Sequence, residues 1–225
     1  MLQRKNLTLT FLDSAPSRQE NTPLMIMLHG YGSNEKDLMQ LAPMLHQRMH
    51  YISARAPRML DFGMFGWFPI QFTPDGIIVD YPAAEEAVEK LVAFIREIID
   101  AYSPSGGRVY LMGFSQGSVM SYLTAFHAPE LLHGVIALSG HLPEKAMPDG
   151  KVKPELRTLP FLVAHGIYDD ILPIAKGRQS KDWLQRHTDD LIYREFPIGH
   201  QISDEGIDLI RSWLGEKAPK TESKA

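Results

Sequence analysis

Short apolar runs alternate along this chain with longer stretches in which apolar positions recur every three or four residues. The runs at 24–29, 51–54, 108–112, 134–139, 161–165 and 191–196 are rich in β-branched and large side chains and predict strands. Several lack polar alternation, as expected of parallel strands covered on both faces. Between them, 35–48, 83–102, 116–127, 174–187 and 203–214 carry helical spacing. Val88, Leu91, Val92, Ile95 and Ile99 make one stripe along 83–102, and Leu38, Leu41 and Leu45 a thinner one along 35–48. Residues 7–12 alternate polar with apolar and predict an N-terminal strand. The β-α alternation predicts a single α/β domain over 1–215, with a mostly parallel central sheet and helices on both faces. Residues 216–225 read as a polar tail, and 141–159 as a surface loop.

Composition narrows this picture. A chain of 225 residues with 44% hydrophobic content can bury one full core. A net charge of -4 offers no basic footprint for nucleic acid or an anionic membrane. No apolar run approaches transmembrane length, and the N-terminus lacks a signal-peptide core, so a cytoplasmic protein without stable membrane insertion is expected. The absence of cysteine removes disulfide scaffolds, thiolate metal sites and a cysteine nucleophile.

Candidate chemistry begins at Gly113-Phe114-Ser115-Gln116-Gly117, directly after the apolar run Val109-Tyr110-Leu111-Met112. This reads as a strand turning sharply into a helix with a serine at the bend. At such an elbow the residues two before and two after the serine must be small, and glycine meets that demand. The helix that follows aims its N–H groups and positive dipole end at the serine. A bare G-x-S-x-G would occur by chance in about 5–10% of chains this long, so partners must decide its meaning.

Functional groups of an open parallel sheet gather at the carboxyl ends of its strands. There the chain places Gly166-Ile167-Tyr168-Asp169-Asp170 after one strand and Pro197-Ile198-Gly199-His200 after the next. Ser115, an aspartate and His200 then follow the order found in α/β-hydrolases. A serine hydroxyl needs a base, which imidazole supplies, and a carboxylate holds that imidazole in the useful tautomer. Asp169 is the chosen acid, while adjacent Asp170 reads as a cap of the following turn. For the oxyanion, the backbone N–H of Gln116 is one donor. The other is assigned to the N–H of Tyr31 within His29-Gly30-Tyr31-Gly32.

The chain resembles the phospholipase/carboxylesterase family of α/β-hydrolases, which includes acyl-protein thioesterases and small bacterial carboxylesterases. The likeness is carried by the segment from Leu28-His29-Gly30-Tyr31-Gly32 to Asp37-Leu38, by the elbow, by His165-Gly166-Ile167-Tyr168-Asp169, and by Gly199-His200. It implies hydrolysis of carboxylic esters or thioesters without metal or organic cofactor, and it implies Asp169 as the acid. The Ser33-Asn34-Glu35-Lys36-Asp37 version is more similar to the bacterial esterase branch.

Residues 59–72 combine Met and aromatics with Gly and Pro and read as a loop or short hairpin. Such a segment near a catalytic mouth suits an acyl chain, with Trp67 and Phe68 the leading contacts and Phe114 and Tyr31 further ones. The substrate expected is a small acyl ester of short or medium chain, or an acylated protein, acted on by a monomer or homodimer. A non-catalytic receptor, a lidded lipase or a peptidase with an added domain fits the chain less well. No histidine pair shows metal-ligand spacing with an acidic neighbour.

Overall fold

The computed structural model describes residues 3–14, 21–73, 76–142 and 152–218, and an eight-stranded sheet organises them. The elements in order are β1 (Gln3–Asn6), β2 (Thr10–Asp13), β3 (Leu24–Leu28), β4 (His50–Ala54), β5 (Arg58–Asp61), β6 (Met64–Gly66), β7 (Ile70–Thr73) and β8 (Gly76–Val79). Then come α1 (Tyr81–Tyr102), β9 (Val109–Phe114), α2 (Gln116–His127), β10 (Leu132–Leu138), β11 (Phe161–Gly166), α3 (Ile174–His187), β12 (Leu191–Phe196) and α4 (Asp204–Lys217). The sheet order is β1-β2-β4-β3-β9-β10-β11-β12, antiparallel where β2 meets β1 and β4 and parallel from β4 to β12.

Both faces of the central strands of this sheet are buried. In β3, Leu24, Ile26 and Leu28 join one core, and Met25 and Met27 point into the other. β9 divides the same way, with Val109 and Leu111 against Tyr110 and Met112. This period of two is what the strand pleat requires. The first core is closed by α1, α2 and α3 through residues such as Phe94, Met120 and Trp183; the second is closed by α4 through Ile210 and Trp213.

The chain lays β4 on one side of β3 and β9 on the other, so the strand order reverses between β3 and β9. At such a reversal the loops leaving the two strands part in opposite directions and open a crevice at their carboxyl ends.

Several expectations need correction. The helix expected over 35–48 is only a 3₁₀ turn, Leu38–Met44, with Pro43 inside it. Proline removes a backbone donor and clashes with the preceding turn, so an α-helix cannot run through that position. Of the strand expected at 7–12, residues 7–9 are the bend of the β1–β2 hairpin and only 10–12 are extended, within β2. Residues 216 and 217 continue α4, while 219–225 lie outside the described residues. Of the loop expected at 141–159, residues 143–151 also lie outside them, and Pro154–Thr158 forms a 3₁₀ turn. Segment 59–72, expected as a loop or short hairpin, does hold the hairpin β5–β6, and it ends in β7, whose partner β8 lies beyond it.

Candidate active site

Ser115 sits between β9 and α2 at φ 54° and ψ −116°, a backbone conformation that non-glycine residues rarely adopt. Its neighbours show why the elbow demands glycine. A Cβ on Gly113 would lie 2.1 Å from the Gly117 carbonyl oxygen, and one on Gly117 only 2.0 Å from that of Leu28. Both contacts are with backbone and cannot be relieved by turning a side chain. The close approach of α2 to β3 thus brings the serine over the crevice.

His200 follows β12 and Asp169 follows β11. Their loops are joined by backbone hydrogen bonds from Ile167 N–H to Phe196 O (2.8 Å) and from Tyr168 N–H to Ile198 O (2.9 Å). The buried Asp169 carboxylate accepts from Ile171 N–H (3.0 Å) and Leu172 N–H (2.7 Å) at Oδ1, and from His200 Nδ1–H (2.7 Å) at Oδ2. A carboxylate only accepts, so Nδ1 carries the proton and Nε2 is left as an acceptor. Ser115 Oγ–H donates to that Nε2 at 2.9 Å. Asp170 is exposed. Behind Asp169, buried His165 donates from Nε2 to Leu172 O (2.7 Å) and lies 3.5 Å from Asp169 Oδ2.

The loop after β3 approaches from the other side. A Cβ on Gly30 would sit 3.4 Å from Ser115 Cβ, so Tyr31, the next residue, starts beside Ser115. Gln116 opens α2, where backbone N–H groups have no acceptor within the helix. His29 braces the start of this loop. Its Nδ1–H donates to Gly30 O (2.7 Å), and its Nε2 accepts from Ala56 N–H (3.0 Å). Only the neutral ring can make both bonds, and burial pushes its pKa down to about 4.

A cavity of about 160 Å³ opens over Ser115, Gln116 and His200. Phe68, Ile70, Ile77, Val79, Val119 and Leu172 give it apolar walls, with Tyr31, Ile171 and His141 completing the lining. Two expected contacts fall elsewhere. Trp67 is buried without lining this cavity, its indole N–H donating to His29 O at 2.9 Å. Phe114 does not line it either, and its ring packs 5.0 Å from that of His200. A larger space of about 860 Å³, lined by Met39, Pro43 and Tyr51 among others, holds none of these groups.

The walls from β7 and β8 were not foreseen, nor was the side chain of Gln116. That amide accepts from Trp67 N–H and donates to Phe68 O, each at 2.8 Å. A glutamine beside a serine carries no sequence signal of such a clamp. Isoleucine and valine in a hairpin read equally well as core.

Sheet order, the strained elbow and the serine–histidine–aspartate contacts are those of the α/β-hydrolases. Within that class, the chain belongs to the phospholipase/carboxylesterase family, whose model matches residues 14–217, and it is a hydrolase of that family. It is 27% identical over 215 residues to acyl-protein thioesterase 1 of Yarrowia lipolytica, covering 89% of this chain and 94% of that one. It is 29% identical over 165 residues to a probable carboxylesterase of Oryza sativa subsp. japonica, covering 72% of this chain but 61% of the rice protein's length. Among solved structures, a carboxylesterase of Mesorhizobium loti superposes with a TM-score of 0.79 at 19% identity, over 97% of this chain and 99% of that one, a likeness of fold. Among the described residues no helix is long and apolar enough to cross a membrane.

Proposed function

We propose that the protein cleaves carboxylic esters or thioesters of short or medium acyl chains through an acyl-enzyme, with Ser115 as nucleophile, His200 as base and Asp169 as its orienting acid. The observation that carries this is the 2.9 Å bond from Ser115 Oγ–H to His200 Nε2, backed by the 2.7 Å bond from Nδ1–H to Asp169. Ser115 Oγ attacks the acyl carbonyl carbon as its proton passes to Nε2, and the carbonyl electron pair moves onto oxygen. The N–H groups of Tyr31 and Gln116 stabilise that oxyanion. The tetrahedral species collapses, the bond to the leaving oxygen or sulfur breaks, and His200 returns the proton to it. Water then repeats the sequence on the acyl-serine, releasing the carboxylic acid and restoring Ser115.

The apolar walls favour a hydrocarbon acyl or alkyl group, and a cavity near 150 Å³ holds about one benzene ring. A space of about 160 Å³ therefore suits chains of few carbons. Both small esters and acylated proteins present that group, and Tyr31 and Phe68 are its proposed contacts. A cytoplasmic location accompanies this reading, and fractionation of cells producing the untagged chain is its check.

A fluorophosphonate probe is expected to label the wild type at Ser115 and to leave Ser115→Ala unlabelled. Equal labelling of both would remove the nucleophile assignment. Across p-nitrophenyl acetate to palmitate, kcat/KM is expected to peak at short or medium chains. A maximum at palmitate would overturn the chain-length reading while leaving the nucleophile intact.

A further inference from the structure

The loop that carries Tyr31 is gripped from outside by the segment that follows β4. Gly32 N–H donates to Phe65 O (2.9 Å), and Phe65 N–H donates to Ser33 O (2.8 Å). Asn34 Nδ2 donates to Gly63 O at 2.9 Å. One residue further on, Glu35 is buried, with its side chain 1% exposed. Its carboxylate receives both prongs of Arg55, from Nε (2.6 Å) and Nη2 (2.5 Å). The same guanidinium lies 4.6 Å over the ring of Phe65. Arg55 therefore touches the loop through Glu35 and the β5–β6 hairpin through Phe65, and the hairpin holds the loop a second time through backbone bonds.

We propose that Arg55 is a positioning residue for the oxyanion hole, which rests on Tyr31 N–H being an oxyanion donor. A carboxylate enclosed this completely is stable only while its charge is matched. With Arg55 present, Glu35 stays folded inward and the loop from Gly30 to Glu35 keeps its path along Phe65. Without Arg55, the carboxylate loses the fork that ties it to Phe65, and the loop loses one of its anchors on the hairpin. Tyr31 N–H, two residues ahead of the Ser33–Phe65 bridge, then leaves the place where the tetrahedral oxygen forms. A planar fork that binds both carboxylate oxygens while stacking on an aromatic ring suits Arg and not Lys. Glu35 also lies just ahead of the 3₁₀ turn at Leu38–Met44.

The effect should appear in the transition state. Arg55→Met, Arg55→Lys and Glu35→Gln are compared with wild type on a short p-nitrophenyl ester, with active enzyme counted by fluorophosphonate titration. An alkyl trifluoromethyl ketone, which adds to Ser115 and places an oxyanion in the hole, supplies the second readout. Arg55→Met is expected to lower kcat by about 10–100-fold, with KM within about threefold, and to weaken the ketone by a similar factor. Arg55→Lys and Glu35→Gln should fall between it and wild type. If Arg55→Met does not fold, the other two variants are read in the same way. A loss confined to KM, or a lowered melting temperature with kcat and ketone affinity unchanged, would overturn the proposal. Labelling of wild type at Ser115 keeps that failure distinct from failure of the nucleophile assignment.

Discussion

Gln116 holds Phe68 in the cavity wall: its Nε2 donates to the Phe68 carbonyl at 2.8 Å while its Oε1 accepts the N–H of Trp67 at the same distance. The residue proposed as an oxyanion donor thus uses its side chain to place a ring of the cavity wall. Gln116→Ala keeps the backbone donor and orphans two buried backbone groups. Stability should fall by about 1–3 kcal/mol. KM should rise with kcat within about threefold, because the wall moves and the oxyanion donor does not. Steady-state kinetics with urea unfolding checks both, and a collapse of kcat at constant KM would contradict the division.

The positive φ of Ser115 stores strain that glycine would release. Ser115→Gly should therefore melt about 2–4 °C above wild type while losing activity, whereas Ser115→Ala loses activity without that gain. Calorimetry on the three chains decides it. Equal melting temperatures would mean that the elbow is not held under strain.

Asp169→Asn replaces an oxygen that accepts from His200 with an amide that can present N–H instead. The imidazole is then driven to the tautomer with its proton on Nε2, facing Ser115, where it cannot serve as base. A fall in kcat of about 10⁴-fold is expected, with KM little changed. Retention of more than a tenth of wild-type kcat would show that another group orients His200.

His29 makes stability depend on pH in a stated direction. Its pKa is 6.5 as a free group and about 4 in the fold, because burial disfavours the charged ring. Between those values the unfolded chain binds the extra proton, so stability falls as pH drops from 6.5 toward 4. The full effect is at most roughly 3 kcal/mol. Urea midpoints at pH 7 and 4.5 should differ more for wild type than for His29→Asn, and equal differences would remove His29 as the cause.

The chemistry was unusually legible because each demand falls on one residue type at a short spacing. Gly113 and Gly117 flank Ser115 because no Cβ fits at either place, and such exclusion leaves a mark in sequence. Asp169 and His200 could be chosen because strands β11 and β12 end just before them. Hydrophobic spacing likewise announced α2, α3 and β12 with their observed bounds. It misled at 35–48, where Leu38 and Leu45 are buried and Leu41 partly so, but Pro43 prevents an α-helix.

The linear chain therefore determined which side chains meet at the crevice and which strands present them, since glycine exclusion, chain order and apolar period are local properties. What lines the cavity was decided only in three dimensions. Phe68 and Trp67 are adjacent aromatics of like character, yet one lines the cavity and the other bonds to His29 behind it. Which way each ring points depends on the Gln116 clamp and on hairpins β5–β6 and β7–β8. Those contacts join residues far apart in sequence and impose no periodicity on either partner.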